Sequence, residues 1–167
     1  MGNSPKIVDF GPVKVAGLLH KTSHSNNTIS AFWQSVFEDG RHGSLHGQSW
    51  VASHSDFGIC IEYADNPDSM DYLLGLAVKE GANVPDEYVQ AEVAAGQYAM
   101  LKSTVEEIGS TWGRFETWLA ENGEYAADVS RHSFEYYKCE CVGDVKCEAC
   151  ATGTMICELY LAIKRKN

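Results

Sequence analysis

Two stretches near the C-terminal end of the sequence decide the fold: Phe134-Glu135-Tyr136-Tyr137 and Met155-Ile156-Cys157-Glu158-Leu159-Tyr160-Leu161-Ala162-Ile163. Both predict β-strands, in which successive side chains point to opposite faces of a sheet. Alternation puts Glu135 and Tyr137 on one face of the first strand, and Glu158 and Tyr160 on one face of the second. Carboxylates beside phenol rings suit a flat cationic ligand, because the carboxylate neutralises the charge and the ring faces attract it. The alternative interpretation is a solvated face of a half-buried sheet.

The overall composition favours a cytoplasmic globular protein. The chain has 167 residues, of which 44% are hydrophobic, and its 23 acidic and 13 basic side chains give a net charge of −10. This acidic balance argues against direct binding to nucleic acid, whose affinity for proteins comes largely from Lys and Arg on phosphates. No apolar run approaches the roughly 18 residues of a membrane span, and the N-terminus does not have the pattern of a secretory signal.

The order of predicted elements indicates an internal duplication. Residues 6–81 and residues 86–165 each read as strand, helix, strand, strand, and we expect them to form one domain over residues 6–165. The sequence thus predicts an α+β fold of two tandem strand-helix-strand-strand modules with pseudo-twofold symmetry. Their antiparallel sheets would carry helices on one face and leave a central ligand groove between the modules. Two acidic strand positions, Glu62 and Glu135, are expected to point toward this groove.

The two predicted helices carry aromatic residues at steps of three and four, which is typical of a core-facing stripe. Ile29 and Trp33 in the first helix align with Ile108 and Trp112 in the second at one common offset. We interpret most of these rings as core. Trp112 is the exception, because a Trp near the start of a helix at a domain edge can reach a groove.

Five segments in the right order resemble the GyrI-like superfamily, the effector-binding domains of some bacterial transcription regulators. The segments are Val15-Ala16-Gly17-Leu18, Val93-Ala94-Ala95-Gly96-Gln97-Tyr98-Ala99, Ile108-Gly109-Ser110-Thr111-Trp112, Phe134-Glu135-Tyr136-Tyr137 and Glu158-Leu159-Tyr160-Leu161-Ala162-Ile163. The resemblance implies a central groove that binds lipophilic cations, with a buried glutamate facing the charge and aromatic residues stacking on the ligand. Matched position by position, the groove glutamate falls on Glu135 and its aromatic neighbours fall on Tyr137 and Tyr160. Glu158 occupies a further acidic position of the last strand.

The resemblance leaves three functions open. The first is a small-molecule-binding protein for lipophilic or aromatic cationic compounds, which is the function we favour. The second is a hydrolase of cyclopropane-type natural products, in which Glu135 with help from Tyr137 would act as a general base. The third is a protein-interaction module of the gyrase-inhibitor kind. The sequence contains no Gly-x-Ser-x-Gly, phosphate loop or His-Glu-x-x-His motif.

Cysteines and histidines raise the question of a metal. Cys139, Cys141, Cys147 and Cys150 lie within twelve residues, so four thiolates can close on one tetrahedral structural Zn²⁺. The alternative is a flexible insert with free thiols, and no other cofactor is expected. The spacing of His42 and His46 would suit a metal on a helix. Gly43 and Gly47 argue against a helix there, so these histidines, with His54, are interpreted as surface residues.

Overall fold

One curled antiparallel sheet organises the chain in the computed structural model, which describes residues 4–139, 141 and 156–167. The helices are α1 (Ile29–Glu38), α2 (Arg41–His46) and α3 (Ile108–Glu121), and a short 3-10 turn precedes α3. The strands are β1 (Lys6–Phe10), β2 (Val13–Ser23), β3 (Asp56–Glu62), β4 (Ser69–Ala77), β5 (Val89–Val93), β6 (Gly96–Thr104), β7 (Tyr125–Ala127), β8 (Ser133–Tyr137) and β9 (Ile156–Arg165). None of the helices in these ranges is long and apolar enough to cross a bilayer.

The strand order places the junction of the two predicted modules at the middle of the sheet. The order is β1-β6-β9-β8-β3-β4-β2-β5, with β7 attached to β9. Strands β3 and β8 pair antiparallel at the centre, and each is followed outward by a strand of its own module. At the edges, β1 pairs with β6 and β5 pairs with β2. The duplication of residues 6–81 in residues 86–165 stays a prediction, as does the single domain over residues 6–165.

All three helices lie on the same face of the sheet, as the sequence predicts. Phe32 and Val36 of α1 pack on Tyr72 and Leu74 of β4. Phe115 anchors α3 on a buried cluster formed by β6 and β9, and Leu45 anchors α2 beside Ala16 and Leu76. Each helix therefore buries its apolar stripe against the alternate strand residues that point to this face of the sheet.

The opposite face of the sheet is packed with the protein's own aromatic rings. Phe134 and Tyr160 stack with ring centroids 4.7 Å apart, and Phe10 of β1 covers both at 5.1 Å. The remaining buried members of this cluster are Val15, Phe57, Ile59, Leu73, Val93, Tyr98, Met100 and Ala162. This face is core, so Glu135, which points away from it, lies on the helix side of the sheet.

One local feature differs from the sequence-based expectations. A helix was not expected near Gly43 and Gly47, yet α2 forms there. Gly40 precedes α2 with φ of 81°, and the fully buried Leu45 fixes the short helix to the sheet, so tertiary packing outweighs the weak helix propensity of glycine.

A close approach between β2 and β4 yields a first prediction. Gly17 and Gly75 face each other across this pair, and a Cβ on Gly17 would overlap the Leu74 carbonyl oxygen. We expect Gly17→Ala to lower the free energy of unfolding by about 1–3 kcal/mol, because the ladder must shift to admit the methyl group. Urea unfolding followed by circular dichroism measures the change.

The matched control is Gly113→Ala in α3, where an added Cβ meets no atom within 4 Å. This change should raise the free energy of unfolding by up to about 1 kcal/mol, because alanine favours a helix over glycine. Equal stability of the two variants would contradict the close packing of β2 on β4.

Candidate functional site

The centre of the site is Glu135 on β8, at the junction of the two predicted modules. It lies between Gly58 of β3 on one side and Leu159 of β9 on the other. Only 3% of the residue is exposed, and its neighbours on this face of the sheet are largely apolar. Because α1 and α3 pack on the same face, the carboxylate lies on the sheet floor between the regions that the two helices cover.

Two phenols hold the carboxylate. The hydroxyl groups of Tyr72 and Tyr137 both donate hydrogen bonds to Oε2 of Glu135, at 2.9 and 2.8 Å. The indole Nε1 of Trp33 in turn donates to the Tyr72 hydroxyl at 2.9 Å. The result is a chain of donors from α1 through β4 to the carboxylate, which fixes the position of each ring.

Gly58 makes the Tyr72 contact feasible. A Cβ at Gly58 would overlap the hydroxyl group of Tyr72. The phenol therefore lies directly over the glycine and reaches across β3 to Glu135 on β8. A glycine in the interior of a strand marks such a close approach.

Aromatic rings cover the carboxylate and lead outward from it. The rings of Trp33 and Tyr137 lie 5.0 Å apart, so side chains from α1 and β8 meet above the floor. Trp33 also stacks on Phe37 at 5.8 Å, and Phe37 is 51% exposed. On the other side, half-buried Trp112 of α3 packs against the same apolar cluster as Tyr137. The site thus has a ring-lined edge that reaches solvent at Phe37.

The electrostatics of the site are those of one poorly solvated acid. Burial raises the pKa of Glu135, and the hydrogen bonds from Tyr137 and Tyr72 oppose this rise. Burial, followed by the charge of Glu135, raises the pKa of Tyr72 and of Tyr137 far above the usual range of phenols. Within the described part of the chain, no basic side chain pairs with Glu135. The phenols stay neutral, so Glu135 is the member of this group that can carry a negative charge.

Two thiols border the site on the same face. Burial, with a contribution from the charge of Glu135, raises the pKa of Cys60 well above its usual range and that of Cys157 to about 12. Both cysteines are therefore neutral packing residues and not nucleophiles at neutral pH.

Tyr160 and Glu158 require a correction, because the structure places them on the face of the sheet opposite Glu135. In the register of β8 and β9, Leu159 stands beside Glu135, so its two neighbours point the other way. Tyr160 is 6% exposed and stacks on Phe134 in the aromatic core. The resemblance-based expectation that both residues share a groove with Glu135 is not met in this arrangement.

Glu62 also lies away from the site. It is the last residue of β3, its side chain is exposed, and Oε1 lies 3.0 Å from Nε2 of His24. The strand position opposite Glu135 is Gly58, so the expectation of two carboxylates facing one groove is wrong for Glu62. Of the six expected ligand-binding residues, the structure brings Glu135 and Tyr137 into direct contact, with Trp112 nearby.

Sequence reasoning missed Tyr72 and Trp33. Trp33 was assigned to the core because of its helical spacing, and its polar edge was ignored. Tyr72 lies in the strand segment Met70-Asp71-Tyr72-Leu73-Leu74, on the face that α1 covers. A buried phenol needs a hydrogen-bond partner, and Gly58 on the neighbouring strand is the signal that a large side chain crosses there.

The four-thiolate zinc site stays a prediction, because Cys147 and Cys150 lie outside the described residues. The backbone N–H of Cys139 donates to Ser55 Oγ at 2.9 Å, which ties the end of β8 to the loop before β3.

The fold is that of the GyrI-like effector-binding domains. The chain belongs to the Cass2 family of integron-associated effector binding proteins, whose family model matches residues 6–163. A comparison with curated proteins gave no match.

Solved structures share the fold at low sequence identity. SAV2435 bound to tetraphenylphosphonium has a TM-score of 0.70 and 16% identity, over 96% of this chain and 93% of that chain. The integron cassette protein VCH_CASS2, from the mobile metagenome of Vibrio cholerae, has a TM-score of 0.64 and 16% identity, over 97% of each chain. EcmrR in a DNA complex has a TM-score of 0.63 and 10% identity, over 96% of this chain and 57% of that chain.

The raised pKa of Glu135 predicts a pH-dependent stability. Above its ordinary value of 4.5, the carboxyl group loses its proton in the unfolded chain before it does so in the folded protein. The contribution of Glu135 to stability therefore falls as pH rises from this value to the raised folded pKa, and is level above it. Relative to the wild type, Glu135→Gln should gain up to about 1.4 kcal/mol in free energy of unfolding per pH unit in this window.

Urea unfolding at a series of pH values between 4 and about 8 measures this difference. Glu116→Gln, on the exposed side of α3, is the control and should run parallel to the wild type. A Glu135→Gln curve that is also parallel throughout would show that the buried carboxyl group has an ordinary pKa.

Proposed function

We propose that the chain binds lipophilic or aromatic cations at the ring-lined site between α1 and α3, with Glu135 as the counter-ion. The observation that carries the proposal is the carboxylate of Glu135, a residue that is only 3% exposed and has no cationic partner among the described residues. An ionised carboxylate in this position has lost much of its hydration, and two phenols restore only part of it. A bound organic cation would offset the remaining cost.

The aromatic walls supply the second part of the affinity. Trp33 and Tyr137 present ring faces next to the carboxylate, and one cation–π contact contributes about 0.5–2 kcal/mol. Burial of apolar ligand surface adds about 25 cal/mol per Å². Together these terms suffice for micromolar binding of varied compounds, since ring faces impose few directional bonds.

A ligand would reach Glu135 by displacing these rings. Trp33 and Tyr137 meet over the carboxylate, and Trp33 continues to the exposed ring of Phe37. A flat ligand ring inserted between Trp33 and Tyr137 would replace one aromatic contact with two. Without such an insertion, the protein's own rings shield the acid from water.

Two of the comparisons support this function. The family is described as effector binding, and one structure of the same fold holds tetraphenylphosphonium, a lipophilic cation. The net charge of −10 adds a long-range preference for cations over anions. We further propose that the protein binds such compounds in the cytoplasm, and that the binding sequesters them.

Calorimetric titration with tetraphenylphosphonium tests the role of the charge. We expect the wild type to bind with a dissociation constant in the micromolar range, and Glu135→Gln to bind at least about tenfold more weakly. Triphenylphosphine oxide, which has similar rings and no net charge, should bind more weakly to the wild type and with little change to the variant.

Tyr160→Phe is the matched control for this experiment, because Tyr160 lies on the opposite face of the sheet. Its affinity for tetraphenylphosphonium should equal that of the wild type. If Glu135→Gln also leaves the affinity unchanged, the carboxylate is not the counter-ion and the proposal is wrong.

A separate prediction concerns the walls. Trp33→Leu should weaken the binding of tetraphenylphosphonium and of triphenylphosphine oxide by similar factors, because it removes ring surface and leaves the charge in place. Trp118→Leu is the control, since Trp118 stacks on Tyr125 and takes no part in the chain of donors to Glu135. Equal affinities of the two variants would place the ligand elsewhere than beside α1.

A further inference from the structure

A cluster of three metal-ligating side chains lies beside the groove and plays no part in the function proposed above. His42 and His46 lie one turn apart on α2, and Asp56 is the first residue of β3. Nε2 of His42 is 3.0 Å from Oδ2 of Asp56, and Nε2 of His46 is 2.9 Å from Oδ1. The two Nε2 atoms are themselves 3.1 Å apart. Three potential ligand atoms from two elements thus converge on one point.

The spacing of these atoms matches a metal coordination sphere. Nitrogen and oxygen ligands lie about 2.0–2.2 Å from a zinc-like ion, which separates neighbouring ligand atoms by about 3 Å. With Oδ1 of Asp56 as the oxygen ligand, this atom lies 3.2 Å from Nε2 of His42 and 2.9 Å from Nε2 of His46, and the two nitrogens are 3.1 Å apart. All three separations are close to this value. Two imidazoles and one carboxylate are also a common donor set for first-row transition metals.

Hydrogen bonding alone satisfies the cluster poorly. Each imidazole would have to carry its proton on Nε2 to bond Asp56, and the two N–H groups would then face each other at 3.1 Å. A cation at the centre removes this conflict, because all three groups then offer lone pairs to it. The side chains of His42, His46 and Asp56 are 18%, 20% and 15% exposed, so the ion would be partly shielded and still accessible.

Neighbouring residues orient the ligands. Nδ1 of His46 lies 3.0 Å from Nδ1 of His54, which fits a metal-bound imidazole that donates its second N–H to an outer acceptor. The ring of His42 packs on Phe37 at 4.4 Å, and Asp56 stands beside Tyr137 in the β3–β8 register. The cluster is therefore held by α2 and the central strands, next to the aromatic edge of the site.

We propose that His42, His46 and Asp56 bind one divalent transition-metal ion through the two Nε2 atoms and the carboxylate. The donor set suits Zn²⁺, Ni²⁺ or Co²⁺. Three protein ligands leave at least one coordination position for water or a small exogenous ligand. The site is independent of the candidate thiolate site and does not depend on binding of cations at Glu135.

Calorimetric titration with Co²⁺ tests the proposal. The protein for this experiment is the full chain without an affinity tag, with the substitutions Cys139→Ser, Cys141→Ser, Cys147→Ser and Cys150→Ser, so that these thiolates do not compete for the metal. We expect one equivalent of Co²⁺ to bind, and His42→Gln, His46→Gln and Asp56→Asn each to raise the dissociation constant at least about tenfold. His24→Gln is the control and should bind as the parent does, because His24 lies by β3's other end.

A second measurement keeps the test valid if a variant fails to fold. In the wild-type sequence, NMR of histidine ring nitrogens during addition of Zn²⁺ should shift Nε2 of His42 and of His46, with Nε2 of His132 unchanged. Absence of saturable Co²⁺ binding in the folded parent overturns the proposal. So does binding that the three substitutions leave unchanged, or a Zn²⁺ titration in which the two ring nitrogens do not respond.

Discussion

The structure depends on a carboxylate that is buried without a counter-charge among the described residues. Glu135 occupies the middle of a nine-stranded sheet, where an apolar side chain would pack at lower cost. The phenols of Tyr72 and Tyr137 keep it in place by directing both hydroxyl groups at one oxygen. The two hydrogen bonds hold the carboxylate in the folded protein, but they do not supply a positive charge to balance it. For the proposed ligand site, this predicts selection by charge sign before selection by shape.

The rest of the fold positions this group at the junction of the two predicted modules. Strand β8 brings the acid, β4 brings Tyr72 from the other half, and α1 brings Trp33 to the phenol. The hydrogen bond from Tyr72 to Glu135 therefore links the two predicted modules at the site itself. The sheet's other face is filled with rings, so the ligand site proposed above lies on the helix-covered face.

The sequence supported the architecture better than the composition of the site. Alternation correctly separated Glu135 and Tyr137 from Phe134 and Tyr136, because this periodicity is a local property of one strand. It could not relate two strands, since a shift of one residue in the register of β8 against β9 reverses which face Tyr160 shares. The family resemblance did not correct the expectation for Tyr160, because a resemblance matches residue types and does not give the register between two strands.

Residues that depend on tertiary contacts were the ones missed. Tyr72 reaches Glu135 only because a distant glycine leaves space, and Trp33 reads as core until its indole N–H is seen to have a partner. Helix α2 forms over residues of poor helix propensity because Leu45 is buried beneath it. In each case the decisive neighbour lies on another element, beyond the reach of a local pattern.

The edge strands have a mechanical consequence for the molecule. Strand β1 comes from the first half and pairs with β6 of the second, whereas β5 comes from the second half and pairs with β2 of the first. This exchange interlocks the two halves, because each half contributes an edge strand to the other half's side of the sheet. Separation of the halves would break the β1–β6, β2–β5 and β3–β8 ladders at once. Hinge-like opening between the halves is therefore blocked. For the ligand binding proposed above, this favours entry by rotation of individual side chains over entry by movement of the two halves.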